Sequence, residues 1–156
     1  MAKELGVGDP APDFALPADG GGHARLADYK GRAVILYFYP KDDTSGCTAE
    51  AIAFSGLKAK FDAAGAAVVG VSPDSEASHA KFKKKHGLAI ELAADPERAA
   101  IEAYGVWKEK SMYGRKYFGV ERSTFLIDRE GRVAKIWRKV KVPGHAEEAL
   151  AAAKAL

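Results

Sequence analysis

The chain has 156 residues, 47% of them apolar, a formal net charge of +3 and one cysteine. That length suits a single domain, residues 1–156, with a core of its own; one cysteine cannot close an intrachain disulfide, which excludes a disulfide-framed secreted module and favours a reducing, cytoplasmic setting. Residues 1–8 lack the apolar core of a signal peptide, the longest apolar run (33–39) is too short to span a bilayer, and the basic clusters at Lys81, Lys83, Lys84, Lys85 and 129–141 carry no interleaved aromatic motif, so neither membrane nor nucleic acid is an expected partner.

The first 30 residues are rich in Gly, Pro and Asp, with Gly20, Gly21 and Gly22 in succession, and read as an irregular lead-in around short strands. Val34, Ile35, Leu36, Tyr37, Phe38 and Tyr39 then form an unbroken apolar run ended by Pro40, the pattern of a central strand buried on both faces. A polar stretch, 41–46, leads into Ala51, Phe54, Leu57, Lys58 and Phe61 at helical spacing, so a helix is expected to begin near Cys47 and stop at Gly65. Residues 66–71 make a second apolar strand, and strand-helix-strand connections of this kind pair their strands in parallel through a right-handed crossover.

Ser72-Pro73-Asp74-Ser75 caps a helix that carries His79, Phe82 and His86 and closes at Gly87. A strand is expected over 88–92, a short helix from Asp95-Pro96-Glu97 to Tyr104, and a long aromatic loop over 105–119 with Trp107, Tyr113, Tyr117 and Phe118. Runs 124–127 and 133–140 flank Asp128-Arg129-Glu130-Gly131, a hairpin signal that adds antiparallel strands and makes the sheet mixed. A last amphipathic helix over 145–156 places Ala146, Ala149, Leu150 and Ala153 on one face. The plan is that of an α/β, thioredoxin-like domain: a mixed central sheet flanked by helices.

In open α/β sheets ligands bind beyond the carboxyl ends of the strands, and Cys47 falls at that mouth. It also falls in the first helical turn, where unpaired N–H groups and the helix dipole favour a thiolate over a thiol. Thr44 offers a hydroxyl three residues earlier, to cap the helix or to bond sulfur and substrate, and Gly46 lets the backbone approach a ligand closely. A phosphatase loop would need Arg where Ala53 stands, and a dithiol oxidoreductase would need Cys where Thr44 stands. His23, His79, His86 and His145 are scattered and fit surface or cap roles; His79 and His86 share a helix face but have no cysteine or obvious carboxylate partner for a metal site, and no cofactor or metal is expected. A Walker motif and a dinucleotide glycine fingerprint are both absent.

Phe38-Tyr39-Pro40-Lys41-Asp42-Asp43-Thr44-Ser45-Gly46-Cys47-Thr48 resembles the Pro-x-x-x-Thr-x-x-Cys motif of peroxiredoxins, in the form found in bacterioferritin comigratory proteins, or PrxQ. Tyr104-Gly-Val-Trp-Lys-Glu-Lys, Met112-Tyr-Gly-Arg-Lys and the segment from Gly119 to Asp128 extend the resemblance over nearly the whole chain. It implies a thiol peroxidase in which Cys47 is the peroxidatic cysteine, Thr44 orients the peroxide, Pro40 shields the thiolate from water and Arg122 polarises sulfur and peroxide. Glu50 is a candidate to orient Arg122, or an ordinary first-turn acid.

Aromatic side chains at Trp107, Tyr113 and Phe118 offer an apolar approach for alkyl hydroperoxides. Where relatives carry a resolving cysteine, this chain has Ile52 and Lys83, so a sulfenic acid on Cys47 must meet an external thiol (thioredoxin, glutaredoxin or a small thiol) or a second copy of the chain. Ser45 replaces the family's usual proline. A monomer or weak dimer is expected, and a thioredoxin-like redox sensor that uses Cys47 without turnover is the alternative reading.

Overall fold

The computed structural model describes residues 5–19 and 21–156. Residues 1–4, at the start of the segment read for a signal peptide, and Gly20 of the glycine run lie outside that description. The central sheet has five strands in the order β5-β4-β3-β8-β9, where β3 is Ala33–Phe38, β4 Ala66–Ser72, β5 Glu91–Ala94, β8 Ser123–Ile127 and β9 Val133–Trp137. Strand β3 runs parallel to β4 and antiparallel to β8, and β9 continues antiparallel, so the sheet is mixed and β3 lies at its middle.

Every residue of β3 is buried because its alternate side chains enter two separate cores. Ile35 and Tyr37 pack with Phe54, Phe61, Phe82, Leu126 and Leu150 on one face, while Val34, Leu36 and Phe38 pack with Val69, Ile101, Tyr104 and Phe125 on the other. Helices α1 (Ser45–Gly56), α2 (Lys58–Ala63), α3 (Glu76–His86) and α5 (His145–Lys154) contribute to the first core. The second is covered by α4 (Ala99–Ala103) and by the small pair β1 (Ala15–Pro17) and β2 (His23–Arg25). Ala146, Ala149, Leu150 and Ala153 are the buried stripe of α5, as their spacing requires.

Several boundaries depart from the sequence expectation. The single helix after Cys47 is two, broken at Leu57, whose φ and ψ are −103° and 6°. The strand expected over 88–92 is Glu91–Ala94, because Leu88 N–H is used to close α3 on the Lys83 carbonyl and Ala89 N–H donates to Ser55 Oγ. The helix expected from Asp95 starts at Ala99, with the Asp95 carboxylate accepting from the N–H groups of Ala99 and Ile101.

The largest departure is the aromatic loop over 105–119, which is a hairpin of its own: β6 (Trp107–Met112) and β7 (Arg115–Val120) pair antiparallel around Tyr113-Gly114. Both turn residues have positive φ, 52° and 78°, as a tight two-residue hairpin turn demands. The remaining hairpin strand stops at Trp137, and 138–140 leave the sheet. Among the described residues no helix is long and apolar enough to cross a membrane.

Candidate active site

At the carboxyl end of β3 the chain passes through the half-buried Pro40 and turns at Asp43, whose φ is 61°, before α1 begins. Thr44 is the N-cap, extended at φ −88° and ψ 157°, and its carbonyl accepts from Thr48 N–H at 2.8 Å. Its hydroxyl donates to the Lys41 carbonyl at 2.9 Å instead of to the helix or to sulfur, which tightens the loop ahead of the helix. Cys47 therefore lies in the first turn of α1, where backbone donors are unpaired within the helix. It is the free cysteine of the chain and only 1% exposed.

Arg122 reaches this turn from the link between β7 and β8. Its Nη2 donates to Cys47 Sγ at 3.3 Å while Nη1 donates to Glu50 Oε1 at 2.7 Å, so one guanidinium fork spans both groups. Glycine at position 46 eases that approach, since a β-carbon there would lie 3.1 Å from Arg122 Nη2 and the guanidinium would have to give by a few tenths of an ångström. Glu50 is 1% exposed. Burial pushes its carboxyl up to about 7, with Arg122 opposing the rise. For Arg122, burial lowers the pKa, but Glu50 and the neighbouring sulfur raise it further than burial lowers it. The guanidinium stays charged.

Structure thus joins Cys47, Arg122, Glu50 and Gly46. It leaves Thr44 hydrogen-bonded to Lys41 and Pro40 at the start of the loop. Of the three aromatic residues expected to line an approach, Tyr113 is 98% exposed at the hairpin turn, and Trp107 and Phe118 stack on each other with centroids 6.4 Å apart. Ile52 is exposed on α1, and Lys83 pairs with Asp19 at 2.9 Å.

Sequence reasoning missed a second network beneath the same loop. Two histidines placed on the surface without carboxylate partners have them: His79 Nδ1 lies 2.7 Å from Asp42, and His86 Nε2 lies 2.9 Å from Asp43. His79 is wholly buried, its Nε2 on the Ala93 carbonyl at 2.9 Å. A carbonyl only accepts, so Nε2 donates to it, and Nδ1 faces the Asp42 carboxylate.

Asp42 also accepts from Tyr39 Oη at 2.6 Å and Ser78 Oγ at 2.7 Å, and its own N–H donates to Asp74 at 2.8 Å. Burial alone would raise the Asp42 pKa, but the hydrogen bonds from His79 and Tyr39 hold it below the ordinary carboxylate range. Asp42, Asp74 and His79 lie close enough to ligate one ion, yet their ligand atoms are engaged with one another and with Tyr39, Ser72 and Ser78. The legible signal was Asp42-Asp43 in a loop that must face α3. His145 is likewise buried, its Nε2 2.8 Å from Thr124 Oγ1, and burial lowers its pKa.

The AhpC/TSA family profile matches residues 7–136. The peroxiredoxin Bcp of Bacillus subtilis is 52% identical over 144 residues, which cover 92% of each chain. The chain belongs to the AhpC/TSA family. Among solved structures, PrxQ of Xylella fastidiosa superposes with a TM-score of 0.93 at 40% identity, covering 99% of this chain and 98% of that one. The bacterioferritin comigratory protein of Xanthomonas campestris, studied in trapped intermediate and ligand complexes for its alkyl peroxide reduction activity, superposes with a TM-score of 0.89 at 46% identity over 97% and 96% of the two chains. As a peroxiredoxin of the Bcp and PrxQ type, the chain has the thioredoxin-like fold, and it is a thiol-dependent peroxidase that acts on peroxide and is recharged by a thiol.

Proposed function

We propose that Cys47 is the peroxidatic residue of a one-cysteine enzyme acting on hydrogen peroxide and organic hydroperoxides, with a single domain over 1–156. The observation that carries this is the fork of Arg122, with one arm on Cys47 Sγ at 3.3 Å and the other on Glu50 at 2.7 Å. Thiolate sulfur attacks one peroxide oxygen, the O–O bond breaks, and the electron pair leaves on the second oxygen, which takes a proton to give water or an alcohol. Negative charge grows on that departing oxygen in the transition state. The guanidinium already on the sulfur, at the first turn of α1 where N–H groups lack helical partners, stabilises it without reorganising. Thr44 contributes a hydroxyl to the bound peroxide, Pro40 limits water at the thiolate, and Glu50 orients Arg122.

The product is a sulfenic acid on Cys47, and with no second cysteine in the chain it is resolved from outside. The thiolate of thioredoxin, glutaredoxin or a small thiol attacks the sulfenic sulfur, water leaves, and a second thiol releases Cys47. A reducing compartment, the cytoplasm, supplies such thiols, and the enzyme works as a monomer or weak dimer.

Steady-state peroxide consumption with a thiol regenerating system tests this reading, since a sensor would show a single oxidation without turnover. Cys47→Ser is expected to abolish consumption, because a hydroxyl is hardly ionised at neutral pH. One equivalent of peroxide without thiol should add one oxygen to the intact mass of a monomer, and excess should add a second with loss of activity. An unmodified thiol after peroxide would remove Cys47 from the chemistry, and a disulfide-linked dimer would move resolution to a second copy of the chain.

A further inference from the structure

Beside the buried thiol, beyond Arg122, lies a cleft of about 380 Å³. Its walls come from β6 through Lys108 and Lys110, from the β7–β8 link through Glu121 and Arg122, and from the segment after β9 through Lys139 and Val140. Glu109 also borders it, but strand alternation sets Glu109 on the opposite face of the hairpin from Lys108 and Lys110, where its carboxylate lies 3.6 Å from Lys116. That leaves four cations around the recess against the single carboxylate of Glu121.

The three lysines are in no ion pair among the described residues, whereas Arg122 is held by Glu50 at 2.7 Å. Lys110 is half-buried, donates to the Val120 carbonyl at 2.5 Å, and has its pKa lowered by burial and by the like charge of Arg122. Lys139 is held in the left-handed region at φ 48°, a conformation that disfavours side chains with a β-carbon, while the next N–H, of Val140, donates to the Arg122 carbonyl at 2.9 Å. A strained lysine is therefore tied to the backbone of the arginine that touches Cys47. Like charges gathered around a recess make an attractive field for an anion, and lysine stems with Val140 provide apolar walls beside it.

We propose that this cleft is a carboxylate subsite, taking the charged end of an organic molecule whose other end reacts at Cys47 across Arg122. The proposal rests on the reading of Cys47 as the reacting group. Two sources offer such a carboxylate: a fatty-acid hydroperoxide as substrate, or a small carboxylated thiol as reductant. In the second case the thiolate sulfur bonds to Cys47 Sγ, the S–O bond of the sulfenic acid breaks, and the oxygen leaves as water with one added proton. A second thiolate then displaces Cys47 and carries away the first thiol as a disulfide.

The test compares kcat/KM for linoleic acid hydroperoxide with that for its methyl ester at fixed 2-mercaptoethanol, and glutathione with 2-mercaptoethanol at fixed hydrogen peroxide. Wild type should favour the carboxylated partner in at least one arm. The ratio should fall about three- to tenfold in Lys108→Gln/Lys139→Gln, further in Lys139→Glu, and also in wild type at high salt. A change confined to the peroxide arm assigns the cleft to substrate, and one confined to the thiol arm assigns it to reductant. Ratios unchanged in both arms overturn the proposal.

Absence of any turnover with hydrogen peroxide and 2-mercaptoethanol would instead strike at Cys47. The subsite is then read from linoleate binding to reduced protein, followed by amide shifts at Lys139 and Val140. Saturable shifts that disappear in the double variant support the site, and no shifts overturn it.

Discussion

Ahead of Cys47 in the chain, Asp42 meets His79; behind it, Glu50 meets Arg122. The first pair is buried and the second nearly so, and both involve a short contact, 2.7 Å in each case, yet they are completed differently. Asp42 has both oxygens engaged, by Tyr39, Ser78 and His79, and its carboxyl is held low. Glu50 has one oxygen on Arg122 and the other, Oε2, without a hydrogen-bond partner among the described residues, and its carboxyl is pushed up to about 7. A closed network fixes the loop to α3 and β5. An open one leaves half of a guanidinium fork on the sulfur of Cys47.

The contrast is broken most severely from the closed side. Asp42→Ala strands a buried His79 together with the hydroxyls of Tyr39 and Ser78, and should cost about 3–5 kcal/mol of stability in denaturant unfolding. Because the folded carboxyl lies below its ordinary value of 3.8, its contribution is fully present above that pH and is lost as pH falls through the folded value. The gap between wild type and Asp42→Asn should therefore narrow in acid. A loss below 1 kcal/mol for the alanine variant would mean that the network does not hold the loop.

On the open side, Arg122→Ala should lower kcat/KM for hydrogen peroxide about 10²- to 10³-fold, the scale of losing one preorganised donor to a developing anion. Its melting temperature should move far less than that of Asp42→Ala. Arg122→Lys keeps the charge but not the fork and should fall between wild type and alanine. Stopped-flow reaction with peroxide reads this directly, and an unchanged rate would take Arg122 out of the site.

That asymmetry also explains what the sequence disclosed. The positions of β3, β4, α1 and α5 follow from apolar runs and helical spacing because their burial is one-dimensional in the chain: neighbours i, i+2 or i, i+4 carry the signal. Contacts between Arg122 and Cys47 span 75 residues, and only the family motif, not spacing, put them together. The Asp42–His79 pair spans 37 residues and carried no motif, so His79 looked like a surface residue of a lysine-rich helix. The β6–β7 hairpin was hidden for another reason. Its strands are mostly polar and half-exposed on both faces, so no apolar alternation marked them, and Tyr113-Gly114 passed for part of a loop.

Glu50→Gln sharpens the comparison by removing one charge while keeping an acceptor for Arg122. The folded carboxyl titrates near 7 against an ordinary value of 4.5, so the folded state holds a proton that the unfolded chain has released between those values. Stability from this group is full below about 4.5 and is lost as pH rises to 7, at most about 3 kcal/mol. The glutamine variant should lose that downward slope, measured by urea unfolding across pH 4–8. Parallel slopes in both proteins would show that Glu50 titrates as an exposed acid does.

The smallest expected effect comes from the residue between the two networks. Ser45 is the first residue of α1, exposed, and neither its N–H nor its hydroxyl makes a hydrogen bond among the described residues. Proline is favoured at the first position of a helix because the N–H it lacks has no helical partner there. The residue before a proline must be extended, and Thr44 already is, at φ −88° and ψ 157°. Ser45→Pro should therefore stabilise the fold by about 0.4–1 kcal/mol, mainly by restricting the unfolded chain.

The same ring would stiffen the loop that ends in the 1% exposed Cys47, and under the proposed resolution a thiol reductant must move that loop to reach the sulfur. Peroxide reduction by Ser45→Pro should accordingly match wild type while attack of a protein thiol on the sulfenic acid slows by a few-fold. Stopped-flow oxidation followed by mixing with thioredoxin separates the two steps. Equal slowing of both would place the proline's effect on the thiolate pocket itself, and a destabilised variant would show that Ser45 makes a contact the folded loop depends on.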